Sequence, residues 1–430
     1  MNPTQKPQPS LWKRMSKTLL FWVLVAIIAG AILGQFLPSW AVVPFATFND
    51  VFGKYLNFVV PLIIAGLVTP AIFELGRSGG KWLLVTVIIA YGSTMVAGFG
   101  TWGIATLIYP WLLSGQKVPD LASPENAVSS IIDPTFTMPP VFGVMTALIL
   151  AIVLGLGMAA VRAERMMEIF REFRDLIMKV ILKTIVPLLP LHIFGIFLNM
   201  SKSGQFAQVL VALAKVFIFS FILTIVMLLL QYAVVGVMAK RNPLSALWGM
   251  KEAYFTALGT SSSAATIPVT EHCAVKNGVT REIADFVIPL CATIHLAGST
   301  IKITAFALAL QYMMGISATP GQLIGFIMML GVIMVAAPGV PGGAITAAQG
   351  VLQGMLGFTD PMYGIMVAMY VAADSFGTAT NVTGDGAIAI AVDTLSKGSL
   401  GEEKNAAMEA AGDIISGREL DQDKLDAVQA

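Results

Sequence analysis

The sequence is poor in charged residues, in cysteine and in histidine. Only 12% of its 430 residues are Asp, Glu, Lys or Arg, whereas soluble domains carry about 25%, so a soluble globular protein is excluded. The formal net charge of +1 leaves no basic surface for nucleic acid, which we do not expect as a partner. The two cysteines, Cys273 and Cys291, lie in or beside apolar segments and are interpreted as small buried residues rather than as a disulfide or a metal pair.

The sequence also lacks the groupings that catalysis requires. None of the three histidines has Cys, His or Glu at a metal-ligand spacing, and no nucleophile is paired with a recognisable base. We therefore predict a protein that is not an enzyme and that has no cofactor.

Hydrophobic residues, in contrast, make up 56% of the chain and fall into long runs. Several runs exceed the roughly 18 residues that let a helix cross about 30 Å of hydrocarbon. They predict an all-α polytopic membrane protein embedded in a lipid bilayer. In the first half of the chain the apolar segments are 18–37, 42–72, 82–112, 140–162, 179–199 and 205–238.

Basic residues cluster before the first of these segments and in alternate loops, near positions 77, 170 and 241. Because such loops remain on the cytoplasmic side, we expect a multi-pass protein of the bacterial cell (inner) membrane with cytoplasmic N- and C-termini. The stretch 163–178 mixes apolar and charged residues and predicts an amphipathic linker at the membrane interface. The stretch 113–139, rich in Pro, Ser and Asp, predicts an external loop.

The second half interrupts its apolar runs with serine, glycine and proline. Three serines stand near the middle of 253–269, and the sequence APGVPGG stands at the centre of 324–355. Backbone can leave a helix at membrane depth only where it lines a cavity, so each run predicts a helical hairpin that turns back inside the protein. A broken helix, 283–314, lies between the hairpins, and the last span follows the second hairpin. Paired interruptions of this kind predict a transporter site between inverted repeats.

The last span carries a stripe of polar side chains. Asp374, Thr378, Asn381 and Asp385 are spaced 4, 3 and 4 residues apart, which places them on one face of a helix. A carboxylate at bilayer depth costs at least about 2.5–3.5 kcal/mol, so both acids need a partner, which is a bound solute, a cation or another helix. The lysines that could supply a helix partner are Lys215 and Lys302.

Four motifs occur along the chain, LGRSGGK at 75–81, SSSAATIPVT at 261–270, GVPG at 339–342 and NVTGD at 381–385. Together they resemble the signatures of the dicarboxylate/amino acid:cation symporters, which have the glutamate transporter fold. The resemblance covers about residues 20–400. It implies eight transmembrane helices, two re-entrant hairpins, inverted repeats, a homotrimer, and an elevator movement of a transport domain against a scaffold.

The same resemblance implies a division of the chain. The core of its transport domain would hold helix 6, hairpin 1, helix 7, hairpin 2 and helix 8. The parts are a cytoplasmic N-terminus (1–17), scaffold helices 1 and 2 (18–81), helix 3 of the transport domain (82–112), an external loop with scaffold helices 4 and 5 (113–204), the transport-domain core (205–398) and a cytoplasmic tail (399–430).

The resemblance also implies the binding residues. Asp374 would accept the ammonium group of an amino acid substrate, and hairpin 2 would be the gate, at Pro341 and Gly342. The other substrate contacts would be Ser262, Ser263, Ser299, Gly339, Val340, Thr378 and Asn381. Two sodium ions would be held by side-chain or main-chain oxygens of Cys291, Thr293, His295, Leu296, Val335, Ala337, Asn381 and Asp385.

Two departures from the family pattern bear on the substrate and the ions. Gly377 stands where members that take acidic substrates have arginine, so a neutral amino acid is favoured, and the glycine is expected to leave room for a larger side chain. Ala297, Ile89 and Ala90 replace the oxygen ligands of a third sodium site, which we predict to be absent. Lys302, about one turn beyond Ala297, either places its ammonium there as a fixed cation or extends toward the interface.

The leading prediction is a secondary-active, sodium-coupled symporter of an amino acid. The alternative is a proton-coupled symporter of an amino acid or dicarboxylate, supported by the missing third site and by His295, a residue type that exchanges protons near neutral pH. A channel is disfavoured because the sequence shows no ring of charges and no repeated filter.

Overall fold

The computed structural model is helical, as the sequence predicts, and no strand occurs among the residues it describes. The predicted cytoplasmic segments, 1–17 and 399–430, lie outside the described residues. The described residues are 19–77, 81–116, 128–133, 135–202, 204, 206–337 and 341–396.

The helices of the first half agree with the predicted apolar segments. They are α1 (Leu19–Phe36), α2 (Ser39–Arg77), α3 (Lys81–Leu112), α4 (Val144–Ala160), α5 (Glu164–Val180), α6 (Val186–Lys202) and α7 (Phe206–Met238). The predicted amphipathic linker is the helix α5, which runs into α6 through a π-helical turn at Ile181–Ile185.

The helices of the second half are shorter, because serine, glycine and proline interrupt them. They are α8 (Pro243–Gly249), α9 (Lys251–Thr260), α10 (Ser263–Lys276), α11 (Arg281–Ile294), α12 (Ala297–Met314), α13 (Pro320–Ala336), α14 (Gly343–Leu356), α15 (Asp360–Ala372) and α16 (Asp374–Ser396). The breaks at Ser261 and His295 fall within the predicted hairpin 253–269 and the predicted broken helix 283–314.

Six helical stretches in the described part of the chain are long and apolar enough to cross a membrane. They are α1, α2, α3, the α5–α6 unit, α7 and the α11–α12 unit, whereas α4 and α13 are apolar but shorter. The structure therefore supports a polytopic membrane protein, and the number of eight spans stays a prediction.

Two pairs of short helices fold back on themselves. α9 and α10 pack against each other and join at Ser261, whose φ of +50° is left-handed, and at Ser262, whose side chain caps α10 by accepting from Ala265 N at 3.3 Å. α13 and α14 pack in the same way, and the residues 338–340 that join them lie outside the described residues.

Two further helices are broken near the centre of the molecule. His295 has an extended backbone, and its N–H closes α11 by donating to Cys291 O at 2.9 Å, so that α12 begins as a separate helix. The apolar run 362–392 is likewise divided at Ala373 into α15 and α16.

α16 is enclosed by the other helices of this half. It packs against α7, α9, α10, α11 and α12, and every residue from 377 to 392 is buried. The polar side chains of α16 must therefore find their partners on neighbouring helices, which is where the candidate site forms.

α1 packs along α6 through two glycines that lie one turn apart. A Cβ added to Gly30 or Gly34 would overlap the α6 backbone, at Phe194 O and Leu198 O respectively. Small residues at this spacing let two helix backbones approach closely.

Gly34→Val is expected to destabilise the protein by about 1–3 kcal/mol, because the α6 backbone cannot move aside for the added side chain. The measurement is the thermal midpoint of the purified protein in detergent. Gly103→Val on α3 is the matched control, since a Cβ there meets nothing within 4 Å. Equal midpoints for the two variants would contradict close packing at Gly34.

Candidate functional site

Asp374, the first residue of α16, is held at both carboxylate oxygens by other parts of the protein. Its Oδ1 lies 3.4 Å from Lys302 Nζ on α12, and its Oδ2 accepts from Gly342 N at 2.9 Å. Gly342 has a φ of +74°, a left-handed conformation that glycine adopts without strain. The carboxylate thus ties the α13–α14 turn to α16.

Lys302 takes the space beside Gly377. A Cβ on Gly377 would overlap Lys302 Cε and Nζ, so the room that the sequence assigns to a larger substrate side chain is filled by the lysine in this structure. Extension of Lys302 toward the interface disagrees with this contact. Its ammonium, which the sequence suggested as a fixed cation at the third sodium site beside Ala297, instead contacts Asp374, the pairing that the sequence also suggested. Lys215, the other suggested partner, instead donates to Leu112 O at 3.0 Å.

The polar residues of the predicted stripe meet beside this pair. Thr378 Oγ1 donates to Asp374 O at 3.0 Å, and Asn381 Nδ2 donates to Ser299 Oγ at 3.3 Å. Ser299 Oγ also accepts from Tyr370 OH at 2.9 Å. Four predicted substrate residues from α12 and α16 are therefore brought together in one buried cluster.

The α9–α10 turn reaches the same end of α16. Ser261 Oγ lies 2.8 Å from Ser375 Oγ, next to Asp374. Ser263, a predicted substrate contact, is buried at the start of α10, and its neighbour Ser262 is half-buried. Of the predicted contacts of the α13–α14 turn, Gly339 and Val340 lie outside the described residues.

Asp385 lies in a second buried cluster further along α16. Its Oδ1 is 2.9 Å from His295 Nδ1, and both side chains are at most 1% exposed. His295 Nε2 in turn lies 3.0 Å from Ser93 Oγ on α3 and 3.3 Å from Gln231 Nε2 on α7. Asp374 and Asp385 thus each face one basic side chain from the broken α11–α12 helix.

Comparison with known proteins identifies the family of the chain. A profile of the sodium:dicarboxylate symporter family matches residues 19–395, which is most of the chain. The chain belongs to this family. The family is one of multi-pass membrane transporters for small solutes, so the expected class of protein, a transporter and not an enzyme, is confirmed.

Relatives match most of this chain and almost all of their own length. A serine/threonine transporter SstT of Acinetobacter baumannii (strain AYE) is 28% identical over 402 residues, covering 88% of this chain and 97% of the relative. The serine/threonine transporter SstT of Acinetobacter baylyi (strain ATCC 33305 / BD413 / ADP1) is 26% identical over 400 residues, covering 88% of this chain and 98% of the relative.

Two of the carbonyls predicted to hold sodium already serve as hydrogen-bond acceptors in this symporter. Cys291 O accepts from His295 N, and Leu296 O accepts from Thr300 N, both at 2.9 Å. A carbonyl oxygen has a second lone pair, so neither bond prevents ion binding. Thr293 is exposed, and its hydroxyl donates to Leu290 O at 2.8 Å. Of the remaining predicted ligands, Val335 is half-buried and Ala337 is buried.

Sequence reasoning missed several residues that complete the two clusters. Ser93 and Gln231 contact His295, and Tyr370 contacts Ser299 and Lys302. The available signal was a polar pair, Gln231 and Tyr232, in the last third of the mainly apolar segment 205–238. Tyr370 gave no such signal, because tyrosine is common at the ends of apolar segments.

Proposed function

We propose that this symporter couples uptake of a neutral amino acid to sodium, with serine and threonine as the first candidates. Relatives that match it over 97% and 98% of their own length carry the name serine/threonine transporter. Under this proposal Asp374 receives the ammonium group of the substrate, through a charge-assisted hydrogen bond. The proposed substrate contacts are Ser262, Ser263, Ser299, Gly339, Val340, Asp374, Thr378 and Asn381.

The observation that supports a neutral substrate is the ion pair between Asp374 and Lys302. The pair brings one negative and one positive charge into a buried site, so the empty site is balanced. A zwitterion leaves this balance unchanged, whereas an acidic amino acid or a dicarboxylate would bury an additional anion at a high desolvation cost. Gly377 supplies no cation to offset that anion.

Two sodium ions are proposed as the coupling ions. The family's description supports sodium, and a carboxylate with carbonyl oxygens suits a hard cation. At the third site Ala90 and Ala297 present buried methyl groups without side-chain oxygen, which supports two ions rather than three. The proposed ligands are Asn381, Asp385, Cys291 and His295 for one ion, and Thr293, Leu296, Val335 and Ala337 for the other.

We also propose an elevator movement in a homotrimer of the bacterial inner membrane, with both chain termini in the cytoplasm. The proposed transport domain is 82–112 with 205–398, and the proposed scaffold is 18–81 with 113–204. The packing supports this division, because α1 packs on α6, α2 packs on α4, and α3 packs on α12. The bond from Gly342 N to Asp374 supports the α13–α14 turn, with Pro341, as the gate.

The test is uptake of the standard amino acids and succinate into proteoliposomes under a sodium, potassium or proton gradient. We expect sodium to stimulate uptake of serine, threonine or another neutral amino acid, with no uptake of aspartate or succinate. By thermodynamic linkage, the factor by which sodium raises the affinity for substrate must equal the factor by which substrate raises the affinity for sodium. Uptake of acidic substrates would overturn the neutral specificity, and proton-driven uptake without sodium would establish the alternative coupling.

A further inference from the structure

The ammonium group of Lys302 is surrounded by cation-binding groups of Tyr370, Ala373 and Asp374, a set that we call the cage. Its side chain is 1% exposed, and its Nζ lies 3.4 Å from Asp374 Oδ1, 3.3 Å from Ala373 O and 3.4 Å from Asp374 O. The ring centroid of Tyr370 is 4.0 Å from the same nitrogen. A carboxylate, two carbonyls and an aromatic face together recognise an ammonium group.

The cage belongs to the break between α15 and α16, whereas the lysine reaches it from α12. All of the oxygen atoms and the ring come from residues 370–374, where one helix ends and the next begins. Ala373 O follows the C-terminal end of α15, where carbonyls carry partial negative charge, whereas Asp374 O belongs to the first residue of α16. The break therefore forms a cation site in its own right, and Lys302 is an occupant tethered to another helix.

Gly377 is the position that admits this occupant. It lies one turn into α16, and a Cβ there would overlap the end of the lysine side chain. Lys302 fills the cage only because Gly377 leaves space for it, so substitution of either residue is expected to empty the cage.

We infer that Lys302 is a tethered counter-ion, which fills the ammonium site of the empty transporter and is displaced by the ammonium of the substrate. This inference rests on the proposed role of Asp374 as the ammonium ligand. With Lys302 in place, Asp374 stays charge-balanced and accepts from Gly342 N at 2.9 Å, so Gly342, the residue before α14, stays bonded to α16 without substrate. The empty transporter can then return across the membrane without a mobile cation at this site.

The first experiment needs no substrate. Hydrogen–deuterium exchange is measured on the wild-type protein and on Lys302→Met, in peptides that contain Gly342. Without the lysine, the charge of the Asp374 carboxylate is no longer balanced, and its hydrogen bond to the Gly342 amide weakens. We therefore expect hydrogen exchange at that amide to be about tenfold faster. Lys215→Met on α7 is the matched control, because that lysine bonds Leu112 O, outside the cage. Unchanged protection in Lys302→Met would overturn the inference, whether or not the protein moves amino acids.

The second experiment separates two modes of transport, using the amino acid that the uptake panel identifies. Net uptake into empty proteoliposomes requires the empty transporter to return, whereas exchange against preloaded amino acid does not. We expect Lys302→Met to lower net uptake by about tenfold, with exchange preserved because the ammonium of the substrate replaces the lost lysine. Equal losses in both modes would instead make Lys302 a substrate ligand and overturn the counter-ion.

Gly377→Ala provides an independent variant that retains the lysine. The added methyl group excludes the Lys302 ammonium from the cage, so we expect the same loss of net uptake with preserved exchange. Gly103→Ala on α3 is its control, since a Cβ there meets nothing within 4 Å. If Gly377→Ala kept the wild-type ratio of net uptake to exchange, the role of Lys302 as a counter-ion of the empty transporter would be contradicted. Failure of the wild-type protein to move any amino acid would refute the proposed function, while the exchange of the Gly342 amide still decides the counter-ion.

Discussion

Asp374→Asn is expected to lower amino acid uptake by about 10- to 100-fold. The charged hydrogen bond to the substrate ammonium is worth about 1.5–3 kcal/mol, and each 1.4 kcal/mol is a factor of ten in affinity. The substitution also leaves Lys302 buried without its carboxylate, and removing one member of a buried ion pair is strongly destabilising.

The measurement is uptake into proteoliposomes at matched protein content, with the folded fraction checked by size-exclusion chromatography. Asp393→Asn is the matched control on the same helix, since Asp393 accepts from Thr280 N and Thr280 Oγ1 at 3.0 and 2.8 Å, far along α16 from the site. Uptake by Asp374→Asn within a few-fold of the control would remove Asp374 from substrate binding.

Asp385→Asn is expected to abolish the stimulation of uptake by sodium. The carboxylate would supply the negative charge of the first proposed ion site, and asparagine retains one oxygen of similar shape without that charge. The contact with His295 Nδ1, 2.9 Å in the native protein, can be kept by the amide oxygen. The variant therefore removes charge with little change in packing.

This prediction is checked by measuring uptake as a function of sodium concentration, with choline as the replacement cation. The expected result is a flat response in Asp385→Asn and a saturable response in the wild type and in Asp393→Asn. A wild-type sodium response in Asp385→Asn would exclude Asp385 as a sodium ligand. If uptake by Asp385→Asn does not respond to sodium but is stimulated by a proton gradient, proton coupling at this cluster is favoured.

Local sequence patterns were enough to locate most of the unusual backbone. Three serines in an apolar run predicted the break at Ser261, because the run could not continue as a buried helix with three adjacent hydroxyls. Prolines and glycines at 337–343 predicted the break between α13 and α14, since proline removes a backbone donor and glycine adopts φ values above zero. These effects act over a few residues and can therefore be seen in the sequence.

The long-range contacts of the site were less accessible to sequence reasoning. Lys302 was considered as a partner of Asp374, but Lys215 fitted the same pattern. His295 was expected to share a sodium site with Asp385 through its carbonyl, whereas the structure brings its imidazole to the carboxylate. The contacts join residues that are 72 and 90 positions apart in the chain. Helical periodicity does not specify the rotation of one helix against another, so it left the choice of partner open.

The sequence by itself determined the helical membrane architecture, the family, and the placement of two aspartates on one face of α16, because these depend on composition, periodicity and short motifs. Only the tertiary structure decided that Lys302 fills the space beside Gly377 and that His295 contacts Asp385. Those contacts depend on how α12 and the α11–α12 break pack against α16, where a displacement of a single helical turn, about 5.4 Å, would have paired each acid with a different residue.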